Sequence, residues 1–239
     1  MMRPFDELEL TGRACTHLLE LSEPRCRLHV DVVAPFLALR AAASAAGIDL
    51  VPVSSFRDFD RQLAIWNGKF RGERALLASD GARLDAVTLD CDARIAAILA
   101  WSALPGASRH HWGTDFDVID AAATPTDYQP QLVPAEFAPG GVYAALARWL
   151  DTSSSAFGFF RPYVTPRGGV QPEPWHLSYA PLAEQARRQF TPAMLASALH
   201  NSELDGREQV LTQLDALFDR YVARIDPPDS CALLSPTLS

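Results

Sequence analysis

The chain has 239 residues, 48% of them hydrophobic, and 29 acidic side chains against 21 Lys and Arg give a formal charge of −8. That length and hydrophobicity suit a single buried core, while the acidic balance argues against a nucleic-acid or anionic-membrane partner, whose binders usually carry a basic face. The amino terminus, "MMRPFDELEL", is acidic and lacks an apolar run, so neither a secretory signal nor a membrane anchor is read there, and a cytoplasmic location is expected. Cys15, Cys26, Cys91 and Cys231 show no C-x-x-C spacing and read as free thiols rather than a zinc site.

Taken in chain order, "DVVAPFLALRAAASAAG" predicts a core helix closing on Gly47, with Pro35 confining the regular part to the residues after it. "IDLVPV" predicts a short buried strand. It leads into "SSFRDFDRQLAIWNGKF", a helix capped by Asp58 or Ser55 with Phe59, Leu63 and Trp66 on one face, so that Arg57 falls at the strand-to-helix junction. Residues 71–90 carry no readable chemistry and are expected to form a loop over a site. "DCDARIAAILAWSAL" predicts another helix, "PGASRHHWG" a loop, and the run Thr114–Ile119 a strand with Asp115 and Asp117 on one face. "VYAALARWLDTSSSAFGFF" reads as helix, turn and short strand, and "EPWHLSYAP" as an extended segment. Thr191 and Pro192 open a carboxy-terminal helical pair running through "GREQVLTQLDALFDRYVARI", with a frayed tail beyond it. No repeat or linker divides the chain. The expectation is a single α+β domain over residues 1–239, a small antiparallel sheet flanked by helices, with a core at about 30–180 and a helical extension at about 190–226.

The chemistry-bearing residues cluster in two places. A three-ligand zinc site needs nitrogen or oxygen donors converging from more than one segment. His110 and Asp117 fit the first segment, with a turn at Gly113 folding the loop back toward the strand, and His176 fits the second, three residues after Glu173. Pro174 disfavours a helix there, so Glu173 and His176 must share a face through a turn or bulge. Spacing alone does not choose between His110 and His111, or between Asp117 and Asp115. His17, His29 and His200 read as structural or solvated.

Ser108, His110, Gly113 and Asp117 match the S-x-H-x-x-G-x-x-x-D signature, and Glu173 with His176 the second signature 56 residues further on, of the VanY-type D-alanyl-D-alanine carboxypeptidases. "SSFRDFDRQ" resembles the S-x-Y-R-S-x-x-x-Q segment that precedes them in that family. The chain therefore resembles this zinc peptidase group, related to VanX dipeptidases and the hedgehog signalling domain, over about residues 30–180. The resemblance implies a hedgehog/D-Ala-D-Ala-peptidase-like fold, Zn2+ held by His110, Asp117 and His176, and Glu173 as catalytic base. It implies Arg57 on the substrate's terminal carboxylate, with Gln62 and Ser108 in the same pocket; Trp175, between base and ligand, is read as a pocket wall. The family usually has a small residue, often Ala, where this chain has Asp115, which implies an extra carboxylate near the metal.

The expected activity is removal of a terminal D-alanine from peptidoglycan stem peptides or muropeptides, as a D,D- or L,D-carboxypeptidase. The competing expectations are a non-catalytic zinc-containing binding module, against which Glu173 and Arg57 argue, and a peptidoglycan endopeptidase.

Overall fold

Residues 3–78 and 81–233 are described in a computed structural model of the protein. Four antiparallel strands form the sheet that positions the site, and they lie side by side in the order Leu50–Ser54, Asp115–Asp120, His176–Tyr179, Phe159–Phe160. Flanking helices run over Val33–Ala45, Phe59–Phe70, Cys91–Leu99, Ala144–Ser153 and Ala180–Gln189. This is the α+β arrangement expected, with extra helices beyond it at the carboxy terminus.

Strand Asp115–Asp120 has a partner on both edges, and all six of its residues are buried. Asp117 lies opposite Ser54 on one side and His176 on the other, so residues 59 positions apart in sequence become direct cross-strand neighbours. An irregularity between Pro52 and Ser54 frees the first strand from ladder pairing just before the Ser54–Arg57 corner. Beneath the sheet, Phe116 meets Phe36 and Phe159 edge-on at 5.2 and 5.4 Å. The buried apolar cluster extends from Phe5 to Ala232 and includes Leu195, Val210 and Leu217 of the carboxy-terminal segment.

Several local expectations change. Pro35 lies inside the helix Val33–Ala45, in its first turn, where the backbone N–H it lacks would have no intrahelical acceptor. A hairpin, Leu18–Ser22 paired with Arg25–His29, occupies a stretch given no strand from sequence, because only Cys26, Leu28 and His29 of its ten residues are buried and no alternation stands out. Within residues 71–90, Leu76–Leu77 pairs with Arg83–Leu84; residues 79 and 80 lie outside the described set. The helix read through residues 206–225 divides into Arg207–Thr212, Leu214–Phe218 and a widened π-type turn at Asp219–Ala223. The tail expected to fray is packed at Ala232, which is buried; residues 234–239 lie outside the described set.

Candidate metal centre and cleft

The segment "SRHHWG" folds as a single 3-10 turn, Arg109–Trp112, ended by Gly113 at φ 67°. A Cβ on Gly113 would lie 2.4 Å from Leu18 and 2.8 Å from the His29 nitrogen, so this left-handed corner over the hairpin requires glycine. Where spacing leaves the two histidines undecided, the turn sends them to different partners. His111 is fully buried: its Nδ1 donates to the Arg57 carbonyl at 2.6 Å and its Nε2 accepts from the Gly106 N–H at 3.0 Å. Both ring nitrogens are thus committed to backbone, and His111 ties the Arg57 corner to the 106 loop. Its neighbour His110 donates from Nδ1 to the Ser55 carbonyl at 2.9 Å, which leaves Nε2 free, 3.5 Å from Asp117 Oδ2.

His176 has the complementary arrangement. Its Nε2–H donates to Asp115 Oδ1 at 2.9 Å, and its Nδ1 lies 3.2 Å from Asp117 Oδ1 and 3.3 Å from Glu173 Oε2. A tight turn, with the His176 N–H donating to the Glu173 carbonyl at 3.1 Å, brings Glu173 and His176 to the same side, as Pro174 requires. His110, Asp117 and His176 each offer one ligand atom, all within 4.8 Å of one another, and form a group that could hold a metal ion.

The donor set fits a cation on three counts. Asp117 Oδ1 is buried without a hydrogen bond, the kind of orphaned atom that costs free energy unless something else satisfies it. Each histidine directs its second nitrogen to a protein acceptor, as metal-ligating imidazoles do. The group also gathers negative charge: burial opposes protonation of His176, yet Asp115, Asp117 and Glu173 together raise its pKa well above 6.5. His110 is neutral near pH 7, burial pushing it down to about 4. Asp117, despite burial, is held at about 2 by His110, His176 and Arg57.

Asp115 lies behind His176 rather than in the cleft. Its Oδ1 accepts from Arg109 Nε at 2.7 Å as well as from His176, and its Oδ2 accepts from Thr114 Oγ1 at 2.5 Å and Ser178 Oγ at 3.1 Å. Arg109 completes the ring by donating to Ser178 Oγ at 2.6 Å and covers the Trp112 face at 4.9 Å. The extra carboxylate implied by the resemblance is therefore neutralised and sets the orientation of His176; it adds no charge to the cleft wall. Nothing in the sequence pairs Arg109 with Asp115, since the 3-10 turn makes that contact.

A cleft of about 270 Å³ opens beside the metal group, lined by His110, Asp117, His176, Glu173, Arg57, Ser108 and Trp175 among others. Burial raises the pKa of Glu173, against the pull of His176. Arg57 Nη1 donates to Gln62 Oε1 at 2.7 Å and its Nη2 to Ser54 Oγ at 3.2 Å. Gln62 is fully buried and is not part of the cleft wall; its amide donates to the Ala103 carbonyl at 2.7 Å, so it holds Arg57 rather than reaching a ligand. Trp175 is both wall and core, 5.7 Å from Phe137.

Further lining residues come from segments that sequence reading left without a role. Lys69 extends from the helix Phe59–Phe70, and Tyr163 meets the His176 ring edge-on at 5.3 Å. Leu132 adopts φ 51°, the sole positive value among the described non-glycine residues; the Gln131 and Val133 N–H groups beside it both donate to the Glu136 carboxylate, at 2.9 and 3.1 Å. Tyr221 reaches the cleft from the π-type turn of the carboxy-terminal segment. That segment holds the loop after Tyr163: Asp226 accepts from the Val164 and Thr165 N–H groups at 2.9 and 2.7 Å and from Arg167 Nε at 2.7 Å, while the Arg220 carbonyl lies 2.2 Å from where a Gly169 Cβ would be. Only the glycine lets the two backbones meet.

A family model described as VanY, D-alanyl-D-alanine carboxypeptidase, matches residues 25–182. The chain belongs to the VanY family. That span holds the metal group, Glu173 and Arg57, and excludes the carboxy-terminal segment that supplies Tyr221 to this VanY domain. An uncharacterised Haemophilus influenzae protein is 36% identical over 121 residues, 50% of this chain and 92% of that one. The D-alanyl-D-alanine carboxypeptidase of Enterococcus faecalis is 30% identical over 156 residues, 63% of this chain, which spans about half (48%) of that relative. Among solved structures, VanYB in complex with D-Alanine-D-Alanine has the same fold at TM-score 0.50 and 24% identity, covering 82% of this chain and 88% of that one. The LdcB LD-carboxypeptidase does so at TM-score 0.50 and 19% identity, covering 86% and 78%. Among the described residues no helix is long and apolar enough to cross a membrane.

Proposed function

We propose that this VanY-family chain is a zinc carboxypeptidase that hydrolyses the peptide bond before a C-terminal D-alanine of peptidoglycan stem peptides or muropeptides, with D,D- or L,D-specificity. One observation carries the reading: the His110–Asp117–His176 group, the Glu173 carboxylate and the Arg57 guanidinium all line one cleft. A structural metal site has no use for a neighbouring base and a carboxylate clamp. The names of the E. faecalis relative and of the family model support the substrate class.

His110 Nε2, Asp117 and His176 Nδ1 would hold the ion. Zinc bound there supplies Lewis-acid activation of water and of the scissile carbonyl at neutral pH. Arg57, fixed by Gln62 and Ser54, takes the terminal carboxylate through the fork's remaining donors, which makes cleavage exopeptidic. Glu173 receives a proton from the attacking water and delivers it to the leaving nitrogen as the C–N bond breaks, so D-alanine departs with a free amine. The raised pKa of Glu173 suits both halves of that transfer. Ser108 and Trp175 form the walls against which the peptide lies.

Zinc-loaded protein incubated with stem tetra- and pentapeptides is expected to release D-alanine, detected by mass spectrometry, and to stop on chelation, with the tripeptide, which has no D-alanine, as the blank. Glu173→Gln should lose about 10² to 10⁴-fold of the rate while keeping the metal. Release that persists after complete metal removal, or cleavage at internal bonds only, overturns the proposal.

A further inference from the structure

The charges lining the cleft do not all find partners among the described residues. Arg109 is spent on Asp115 behind His176, and Arg57 is braced by Gln62 and Ser54 to meet one carboxylate. Lys69 is left over. It lines the same cleft, is half-buried, and its ammonium makes no hydrogen bond or ion pair among the described residues. Burial lowers its pKa to about 8; Glu173 opposes that shift, and the charges of Arg57 and Arg74 add to it. An ammonium drawn out of water beside two guanidinium groups is unfavourable unless an anion joins it. Among the described residues, the anion that stabilises it is Glu173, the proposed base.

We propose that Lys69 is a specificity-determining residue, binding a second carboxylate of the peptide while Arg57 binds the terminal one. This rests on the carboxypeptidase reading. D-alanine has a single carboxylate and Arg57 takes it, so the second belongs to a residue upstream of the scissile bond. The substrate class is then a peptide ending in D-alanine with a free side-chain carboxylate just upstream, such as a diamino-dicarboxylic acid, in preference to the matching diamino-monocarboxylic residue. A lysine suits that role: its three donors rotate on a flexible stem and track a mobile side-chain carboxylate, whereas the fork of an arginine demands one plane.

The test compares two stem peptides identical except that the residue before the terminal D-alanine is meso-diaminopimelate in one and L-lysine in the other. Wild type, Lys69→Met and Lys69→Arg, all zinc-loaded, are assayed for D-alanine release. Wild type is expected to favour the diaminopimelate peptide by about tenfold or more in kcat/KM, the size of one charge-assisted hydrogen bond. In Lys69→Met the ratio of kcat/KM between the two peptides collapses toward one, chiefly through a raised KM for the diaminopimelate peptide, and Lys69→Arg keeps most of the preference. An unchanged ratio in Lys69→Met overturns the proposal, as does an equal loss on both peptides, which would place Lys69 on the terminal carboxylate. Release by wild type from neither these peptides nor their pentapeptide extensions overturns the carboxypeptidase reading itself and this proposal with it, whereas release from the pentapeptides alone keeps that reading and overturns this proposal.

Discussion

Replacing Asp115 by Asn tests whether the residue behind the metal group governs it. Asp115 is fully buried and accepts four hydrogen bonds, two at Oδ1 from Arg109 and His176 and two at Oδ2 from Thr114 and Ser178. In Asp115→Asn the amide nitrogen can face the two hydroxyls, which rotate to accept, so the shape of the network survives and only its charge is lost. The substitution carries two costs. Arg109, 4% exposed, is left without a counter-charge, and breaking a buried pair costs about 3 to 5 kcal/mol, toward the lower end here because the amide oxygen still accepts. His176 loses the anion that makes its Nδ1 a strong donor, and removal of such a partner lowers metal affinity about 10 to 100-fold, or about 1.4 to 2.8 kcal/mol. Chelator competition measures the second cost and denaturant unfolding the first. Adding Arg109→Met removes the orphaned charge, so the double variant should regain stability but not zinc affinity. Zinc affinity within twofold of wild type in Asp115→Asn would refute the reasoning.

The remaining predictions concern the supports of the site. His29, buried between Phe5 and His17, has its pKa pushed from 6.5 down to about 4 by burial and by His17; a histidine held neutral in the fold must take up a proton in acid, so about 3 kcal/mol of stability present at pH 7 is lost as pH falls through 6.5 to 4. Thermal melts of His29→Phe should show a shallower decline over that range than wild type, and parallel curves would count against it. Gly12→Ala puts a Cβ 2.3 Å from His111 Nδ1 at φ 73° and should destabilise by at least about 2 kcal/mol, seen as a lower denaturation midpoint. Gln62→Met, which removes the brace from Arg57 without touching the cleft wall, should raise KM more than it lowers kcat in steady-state assays of D-alanine release. Saturating zinc at about 1,000 times its Kd should stabilise the protein by about 4 kcal/mol over the chelated form, read as a rise in the melting midpoint.

Elements that announce themselves locally were legible in the sequence. Asp58 and Thr191 cap the helices predicted for them, and the alternation after Gly113 marks the central strand. Segments whose structure depends on distant partners were not. The amino-terminal hairpin is half exposed and held by backbone bonds such as His29 N–H to the Gly113 carbonyl at 2.8 Å, which no pattern of hydrophobicity encodes. At the centre, spacing left two histidines and two aspartates in competition. The structure separates them by the atoms that occupy their second positions: His111 has backbone on both nitrogens and Asp115 has Arg109, whereas His110 Nε2 and Asp117 Oδ1 have no hydrogen-bond partner among the described residues. Lys69, Leu132 and Tyr221 could not be placed from sequence, because a cleft wall is assembled from residues with no periodic or motif relation to one another.

The clamp between Asp226 and the loop after Tyr163 has a consequence for biosynthesis. Because Tyr221 walls the cleft and residues 220–226 hold the 164–169 loop in place, the binding surface depends on a segment that leaves the ribosome after the whole metal group and the base. Glu173 and His176 are translated some fifty residues earlier than Asp226, and His110 and Asp117 more than a hundred earlier. The residues of the metal group thus precede, in the order of translation, the segment that finishes the cleft wall.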